Sequence, residues 1–292
     1  MPEWPKLTYS EWKDTRDTLH MWTQIVGKTR LTLEPLVNHW WNVTLYVTPV
    51  GLTTSSMSYG AKTFEVEFDL LLHRLTIRTS NGELRAIPLY SRSVADFYAE
   101  YISALQSLGI DIQLYCTPSE CEDRTPFYED HHHDSYDKEY IENFRQILIL
   151  SDRVLKKFRT GFIGKCSPVH FFWGGFDLAV TRFSGRRAPE RPNRMDREAY
   201  SHEVSSCGFW PGDSRMEEAA FYAYAAPTPQ GFGDASVRPQ AAAWNQQLGE
   251  FILKYEDVRT SDSPESDILE FCQSTYEASA NLAHWDRALL ER

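Results

Sequence analysis

Cysteine is scarce in this chain. Its five residues (Cys116, Cys121, Cys166, Cys207 and Cys272) are odd in number, scattered and never spaced as C-x-x-C. That spacing excludes a thiolate zinc ribbon and fits reduced thiols better than a disulfide framework. Long apolar runs are also missing. None approaches 18 residues, so no transmembrane helix and no membrane association are expected. The opening Met1-Pro2-Glu3-Trp4-Pro5 has neither the basic start nor the apolar stretch of a secretory signal, so the expected location is cytoplasmic. Basic residues are outnumbered, 30 Lys and Arg against 41 Asp and Glu, for a net charge of −11. General affinity for nucleic-acid phosphates is not expected at that balance. The common catalytic signatures are absent: no G-x-G-x-x-G, G-x-x-x-x-G-K-[ST], H-E-x-x-H or G-x-S-x-G occurs. Gly27-Lys28-Thr29 and Gly164-Lys165-Cys166-Ser167 look like phosphate-loop tails, but the upstream glycine is lacking or misplaced.

What is abundant is aromatic: 14% of residues, including nine tryptophans. Such side chains fill cores, and they also build cavities with an apolar wall and a polar tip. The 292 residues suffice for two halves or one large domain. Charge is unevenly spread. Residues 117–142 carry nine acidic and two basic residues, whereas 153–197 carry eleven basic and three acidic. The two segments are expected to attract one another as solvated faces, with the basic one also able to line a pocket for a small anion.

Periodicity predicts helices over Tyr9–Val26 (with Ser10 as N-cap), Ser93–Leu108, Tyr136–Phe158 and Pro264–Leu290. Strands are predicted over 42–48, 63–69, 74–79, 169–183, 200–210 and 219–226, where β-branched and aromatic residues collect. Each half then reads helix, three strands, helix. His39-Trp40-Trp41 matches His170-Phe171-Phe172, each ahead of a strand ending in Thr, which suggests an internal duplication. The expected class is α+β with mostly antiparallel sheet. The expected units are an N-terminal half (1–115), an acidic connector (116–135) and a C-terminal half (136–292), packed together.

The stretches WTQIVGKTRLTLEPLVNHWWNVTLYVTPVGLTTS, PLYSRSVADFYAEY, GKCSPVHFFWGGFDLAVTRFSGRRAP, YSHEVSSCGFWPG and FYAYAAPTPQGF resemble a bacterial family of similar length, the domain of unknown function 5996. The likeness runs from about Trp4 to Arg287. It implies a bacterial origin and one family-wide unit rather than a fusion, and it carries no reaction, cofactor or catalytic residue.

Two segments mix reactive side chains into apolar strands. In Lys165–Asp177 (KCSPVHFFWGGFD), His170 stands among aromatics beside a Gly-Gly pair, a place where backbone bends or is closely approached. In Tyr200–Cys207 (YSHEVSSC), alternation puts Tyr200, His202, Val204 and Ser206 on one face and Ser201, Glu203, Ser205 and Cys207 on the other. His202 and Glu203 therefore point apart. The reading drawn from these segments is an enzyme acting on a small polar or anionic metabolite. His170, His202 and Glu203 would be its acid/base groups, and Trp173, Arg182 and Tyr200 would hold the substrate. His39, His170 and His202 together would suit zinc or iron. Cys166 or Cys207 beside a histidine would offer a thiolate nucleophile instead. Arg182, Arg186 and Arg187 suit a carboxylate or phosphate, or else pair with the acidic connector. His131-His132-His133-Asp134 has a metal-binding composition but reads as a solvated loop. The competing reading is a non-catalytic small-molecule-binding or interaction protein, a homo-oligomer among its forms.

Overall fold

The computed structural model describes residues 3–292; the first two residues of the expected N-terminal half lie outside the described residues. Tyr9–Leu33 forms helix α1, capped at Thr8 rather than Ser10. It runs seven residues past the predicted end because its last turns are buried although polar. Lys28 donates to Ser119 Oγ (2.8 Å) and Arg30 Nε to the Asn42 carbonyl (2.8 Å). Six strands follow: β1 (Tyr46–Thr48), β2 (Gly51–Thr53), β3 (Met57–Tyr59), β4 (Lys62–Asp69), β5 (Arg74–Thr79) and β6 (Leu84–Pro88). Helix α2 (Val94–Ser107) begins where the Ser93 side chain accepts from Asp96 N–H. Helix α3 (Lys138–Arg159) begins where Asp137 accepts from Glu139 and Tyr140.

The C-terminal part continues with β7 (His170–Phe172), β8 (Asp177–Arg187), α4 (Arg194–Ala199), β9 (His202–Trp210), β10 (Ala220–Ala226), β11 (Ala243–Asn245), β12 (Glu250–Lys254), α5 (Tyr255–Arg259), α6 (Pro264–Leu282) and α7 (Arg287–Leu290). The single strand expected over 169–183 is a hairpin, turned at Gly174-Gly175. The long final helix expected over 264–290 breaks after Leu282, where His284 takes a positive φ of 53°.

The class is α+β, as expected, and all sheet pairing is antiparallel. Each sheet has six strands, not three. The first has the order β1-β2-β4-β5-β6 with β3 on β4, the second β11-β12-β10-β9-β8-β7. The missed strands are short or lie in stretches rich in Gly and Pro, where period-two patterning has no room to show. The two strand orders differ, and the internal duplication is not confirmed. The sheets meet edge to edge: Leu45 and Phe171 exchange backbone hydrogen bonds of 2.9 Å each way. One contiguous apolar core contains residues of both halves.

Helices α3 and α6 cover one face of the second sheet. Alternation along β9 follows the predicted pattern. Ser205 and Cys207 face α6, where Ser279 Oγ donates to Ser205 Oγ at 3.0 Å. Val204 and Ser206 point to the opposite, outer face. That outer face is not covered by a helix layer of its own. It is roofed by the Asn38–Trp41 turn, by α4 and by part of the connector, and this arrangement positions the site.

Candidate functional site

The outer face of the second sheet presents rows set by register: Ala179, Gly208, Tyr222 and Ile252 in one, Thr181, Ser206 and Tyr224 in the next. Asp177, the first residue of β8, lies at one end and accepts a hydrogen bond from the Tyr222 hydroxyl. Glu250 opens β12 and shares the face of Ile252 by strand alternation. A third carboxyl comes from the connector. Glu120 lies so close over the hairpin turn that a Cβ on Gly174 would fall 2.2 Å from its Oε1. A Cβ on Gly175 would likewise lie 2.7 Å from Asp177 Oδ1. The Gly-Gly pair conspicuous in the sequence is thus the floor on which two carboxyl groups rest.

These carboxyl groups hold their protons unusually tightly. Burial, with the Glu120 and Glu250 charges adding to it, lifts Asp177 to about 7 against the opposing Tyr222 hydrogen bond. Burial lifts Glu250 to about 7, partly offset by Arg215. Glu120 is also raised, by burial and then by Asp196. Yet Glu120 is exposed to solvent, and Asp177 and Glu250 are partly so. Groups that are desolvated and still reachable by water lie along this partly roofed face. Tyr222 and Tyr224 stack along it (ring centroids 6.2 Å apart), and Tyr224 shares a hydrogen bond of 3.3 Å with Tyr200.

The opposite end of the same face is cationic. Lys165 Nζ donates to His39 Nε2 at 2.7 Å, while His39 Nδ1 donates to the Ala199 carbonyl at 3.1 Å. A carbonyl can only accept, so His39 is the neutral Nδ1–H tautomer with its Nε2 lone pair facing the ammonium. The ammonium lies 5.2 Å from the Trp41 ring and 4.8 Å from the Phe183 ring. His202 stands edge-on to His39 at 5.9 Å. Neither Lys165 nor His202 has a carboxylate partner among the described residues. Burial and then the Lys165 charge lower the pKa of both His39 and His202, and burial lowers that of Lys165. His39 and Trp40 also hold positive φ angles, 62° and 59°, in the left-handed region that costs non-glycine residues about 1–3 kcal/mol. Trp41, Tyr200 and Tyr224 pack with Phe183 and Val204 between the two ends. From Asp177 to Phe183 the strand rise spans roughly 20 Å.

The structure does not assemble the three-histidine metal site. His39 and His202 meet, but His170 sits on the other side of Trp41, 5.7 Å from that ring and enclosed by Tyr46 and Phe172. It is 1% exposed, and burial, with Arg30 and Arg159 beside it, drops it to about 3, so the ring is neutral and dry. Among the described residues the one group with metal-ligand spacing is Asp123, His132 and His133.

Other expected site residues are also structurally engaged. Trp173 is a core residue, its indole N–H donating to the Val43 carbonyl at 2.7 Å. Glu203 points away from His202, as alternation required; it is paired with Arg186 (2.7 Å) and accepts from the Ser184 hydroxyl (2.9 Å). It lines a separate cavity of about 260 Å³ between β9, β10 and the end of α6. Arg182 is 1% exposed and engaged within the core. Its guanidinium stacks 3.6 Å over Phe158 and 4.3 Å from Tyr276, and donates to the Phe158 carbonyl at the end of α3. A cation there satisfies the negative end of the helix. The expected pairing of the basic segment with the connector is not seen: Arg186 takes Glu203, and Arg153 and Lys157 take Glu265. All five cysteines are free, and burial pushes the Cys166 and Cys207 thiols up, away from thiolate reactivity. Of the expected residues, His39, His202 and Tyr200 lie on the outer face, as does His170, opposite Ala179 but enclosed there by Trp41, Tyr46 and Phe172; Asp177, Glu120, Glu250, Tyr222, Tyr224 and Lys165 are additions.

The molecule is thus an α+β protein with carboxyl, tyrosine and cationic groups set along one partly roofed sheet face. It belongs to the family of unknown function DUF5996, whose model matches residues 4–292, essentially the whole chain. No curated protein and no solved structure matches it. No helix among the described residues is long and apolar enough to cross a membrane.

Proposed function

We propose that the protein is an enzyme that performs acid–base chemistry on a small polar metabolite bound along the outer face of the second sheet. The observation that carries this reading is the carboxyl cluster at the Gly-Gly turn. Asp177, Glu120 and Glu250 share one end of that face, and burial keeps Asp177 and Glu250 near the midpoint of titration at neutral pH. A carboxyl group poised there serves as proton donor or acceptor with little driving force wasted. Asp177, held in orientation by Tyr222, is the candidate donor, and Tyr200, Tyr222 and Tyr224 supply walls with hydrogen-bonding tips. Lys165 and His202, over the aromatic floor of Trp41 and Phe183, lie roughly 20 Å along the strand from Asp177, beyond the reach of the same small molecule, and take no part in holding it. The strain held at His39 fits a position kept for function rather than packing. No metal role is assigned to this face.

The test is ligand-observed NMR against a panel of small carboxylates, amino acids and sugar phosphates, with product analysis by mass spectrometry. Binding should weaken tenfold or more in Tyr200→Phe, and conversion should be lost in Asp177→Asn with binding retained. Ligands bound and converted equally by wild type and both variants would remove the site from this face.

A further inference from the structure

The connector holds a second group of polar residues that the sheet-face site does not use. Asp123, His132 and His133 bring one ligand atom each within 4.8 Å of one another. His132 Nε2 donates to Asp123 Oδ2 at 2.7 Å, and the two imidazole centroids are 4.3 Å apart. Behind them lies Asp130, 1% exposed, which fixes the loop from within. Its Oδ1 accepts from the backbone N–H of His132 (3.3 Å) and of His133 (3.1 Å). Its Oδ2 accepts from His133 Nδ1 at 2.8 Å.

That last contact decides the chemistry. A carboxylate accepting from Nδ1 leaves the His133 Nε2 lone pair free, which is the tautomer and support found behind metal-bound imidazoles. Asp123 is held in place by the Thr125 backbone N–H, which donates to its Oδ1 at 2.8 Å and leaves Oδ2 turned to the imidazoles. The loop is anchored at both flanks: the Asp130 and His133 carbonyls accept from Ala95 and Val94 at the start of α2. The donors therefore sit on an ordered frame, partly open to solvent.

We propose that Asp123, His132 and His133 bind one divalent transition-metal ion of the zinc class, with Asp130 supporting His133 from behind. Two imidazoles and one carboxylate form a donor set for zinc, with bonds of about 2.0–2.2 Å. The 2.7 Å hydrogen bond between His132 Nε2 and Asp123 Oδ2 is shorter than the spacing of about 3.4 Å between ligand atoms around a tetrahedral ion, so metal uptake displaces the His132 proton and opens that contact. The exposed His132 ring makes room by rotation. The bound ion clips residue 123 to residues 132–133. Glu120 lies three residues before Asp123, so the same clip steadies the strand of connector that brings a carboxyl over Gly174. The site itself does not depend on what the sheet face does.

Isothermal titration with Zn(II), and absorption spectroscopy with Co(II), test this on the full chain. Wild type should take up one equivalent with micromolar affinity or better, and bound Co(II) should give visible bands of a low-coordinate nitrogen–oxygen site. Affinity should fall at least tenfold in His133→Ala and in Asp123→Asn, and His39→Ala should bind like wild type. Circular dichroism of each variant shows whether it is folded, and Asp123→Asn keeps the Thr125 hydrogen bond, so it remains informative if His133→Ala does not fold. No stoichiometric uptake by wild type, or full uptake by folded Asp123→Asn, would overturn the proposal, as would a loss caused by His39→Ala instead.

Discussion

Asp177 is the residue on which most depends. Its carboxyl titrates near 4 in an unfolded chain and at about 7 in the folded one. Between those values the folded state keeps a proton that the unfolded state has released, so stability falls as pH rises from about 4 to about 7. Asn does not titrate and its carbonyl still accepts from Tyr222. Asp177→Asn should therefore match wild type near pH 4 and exceed it by about 2–4 kcal/mol at pH 8. Urea denaturation at the two pH values measures this; a constant difference would place an ordinary carboxylate at 177. His20 shows the opposite case, a titratable residue that is purely structural. Its Nε2 lies 3.0 and 2.9 Å from the Trp173 and Gly174 carbonyls, and burial drops it to about 3. His20→Ala leaves those carbonyls unpaired beneath the Gly-Gly turn and should cost about 2–4 kcal/mol by the same denaturation assay.

Legibility at this scale was uneven. The segment from Lys165 to Asp177 stood out for its glycines and its histidine, and both of its end residues prove to lie on the outer face. The histidine in its middle is the one that packs dry. Nothing local distinguishes His170 from His202: the first meets Trp41 and Tyr46, more than a hundred residues away in the chain. Glu120 was hidden among the charges of the connector, and Glu250 among irregular residues.

At the scale of elements, patterning succeeded where one face is wet and failed where both are buried. α2, with Ser93 and Gly109 at its ends, and β5 follow the expected limits closely. In β9 the alternation of Ser205 and Cys207 against Val204 and Ser206 held in detail. α1 is enclosed on nearly all sides, so Lys28, Thr29 and Arg30 obscured its length. Its Gly27 offers a test in which two effects oppose one another. Ala is the better helix former by about 1 kcal/mol. However, a Cβ at this position would lie 2.2 Å from the Trp173 ring, which is fixed by its bond to Val43. Gly27→Ala should therefore destabilise, by roughly 2 kcal/mol net. A gain in melting temperature would show that the α1–hairpin contact is looser than described.

For the whole molecule, the long-range pairings matter most. Edge-to-edge union at Leu45 and Phe171 and a core shared by both halves bring the connector and the Asn38–Trp41 turn over a face that neither half encloses alone. Which face of the second sheet stays open depends on these contacts, and for that reason the strands of the site were readable from sequence while the site was not. The account rests on carboxyl groups that keep protons at neutral pH on that open face. The direct measurement is carbon-13 NMR of the side-chain carboxyls across pH, with Asp177 assigned by its loss in Asp177→Asn and Glu250 by its loss in Glu250→Gln. Both should titrate near pH 7; midpoints near 4 for the pair would contradict it.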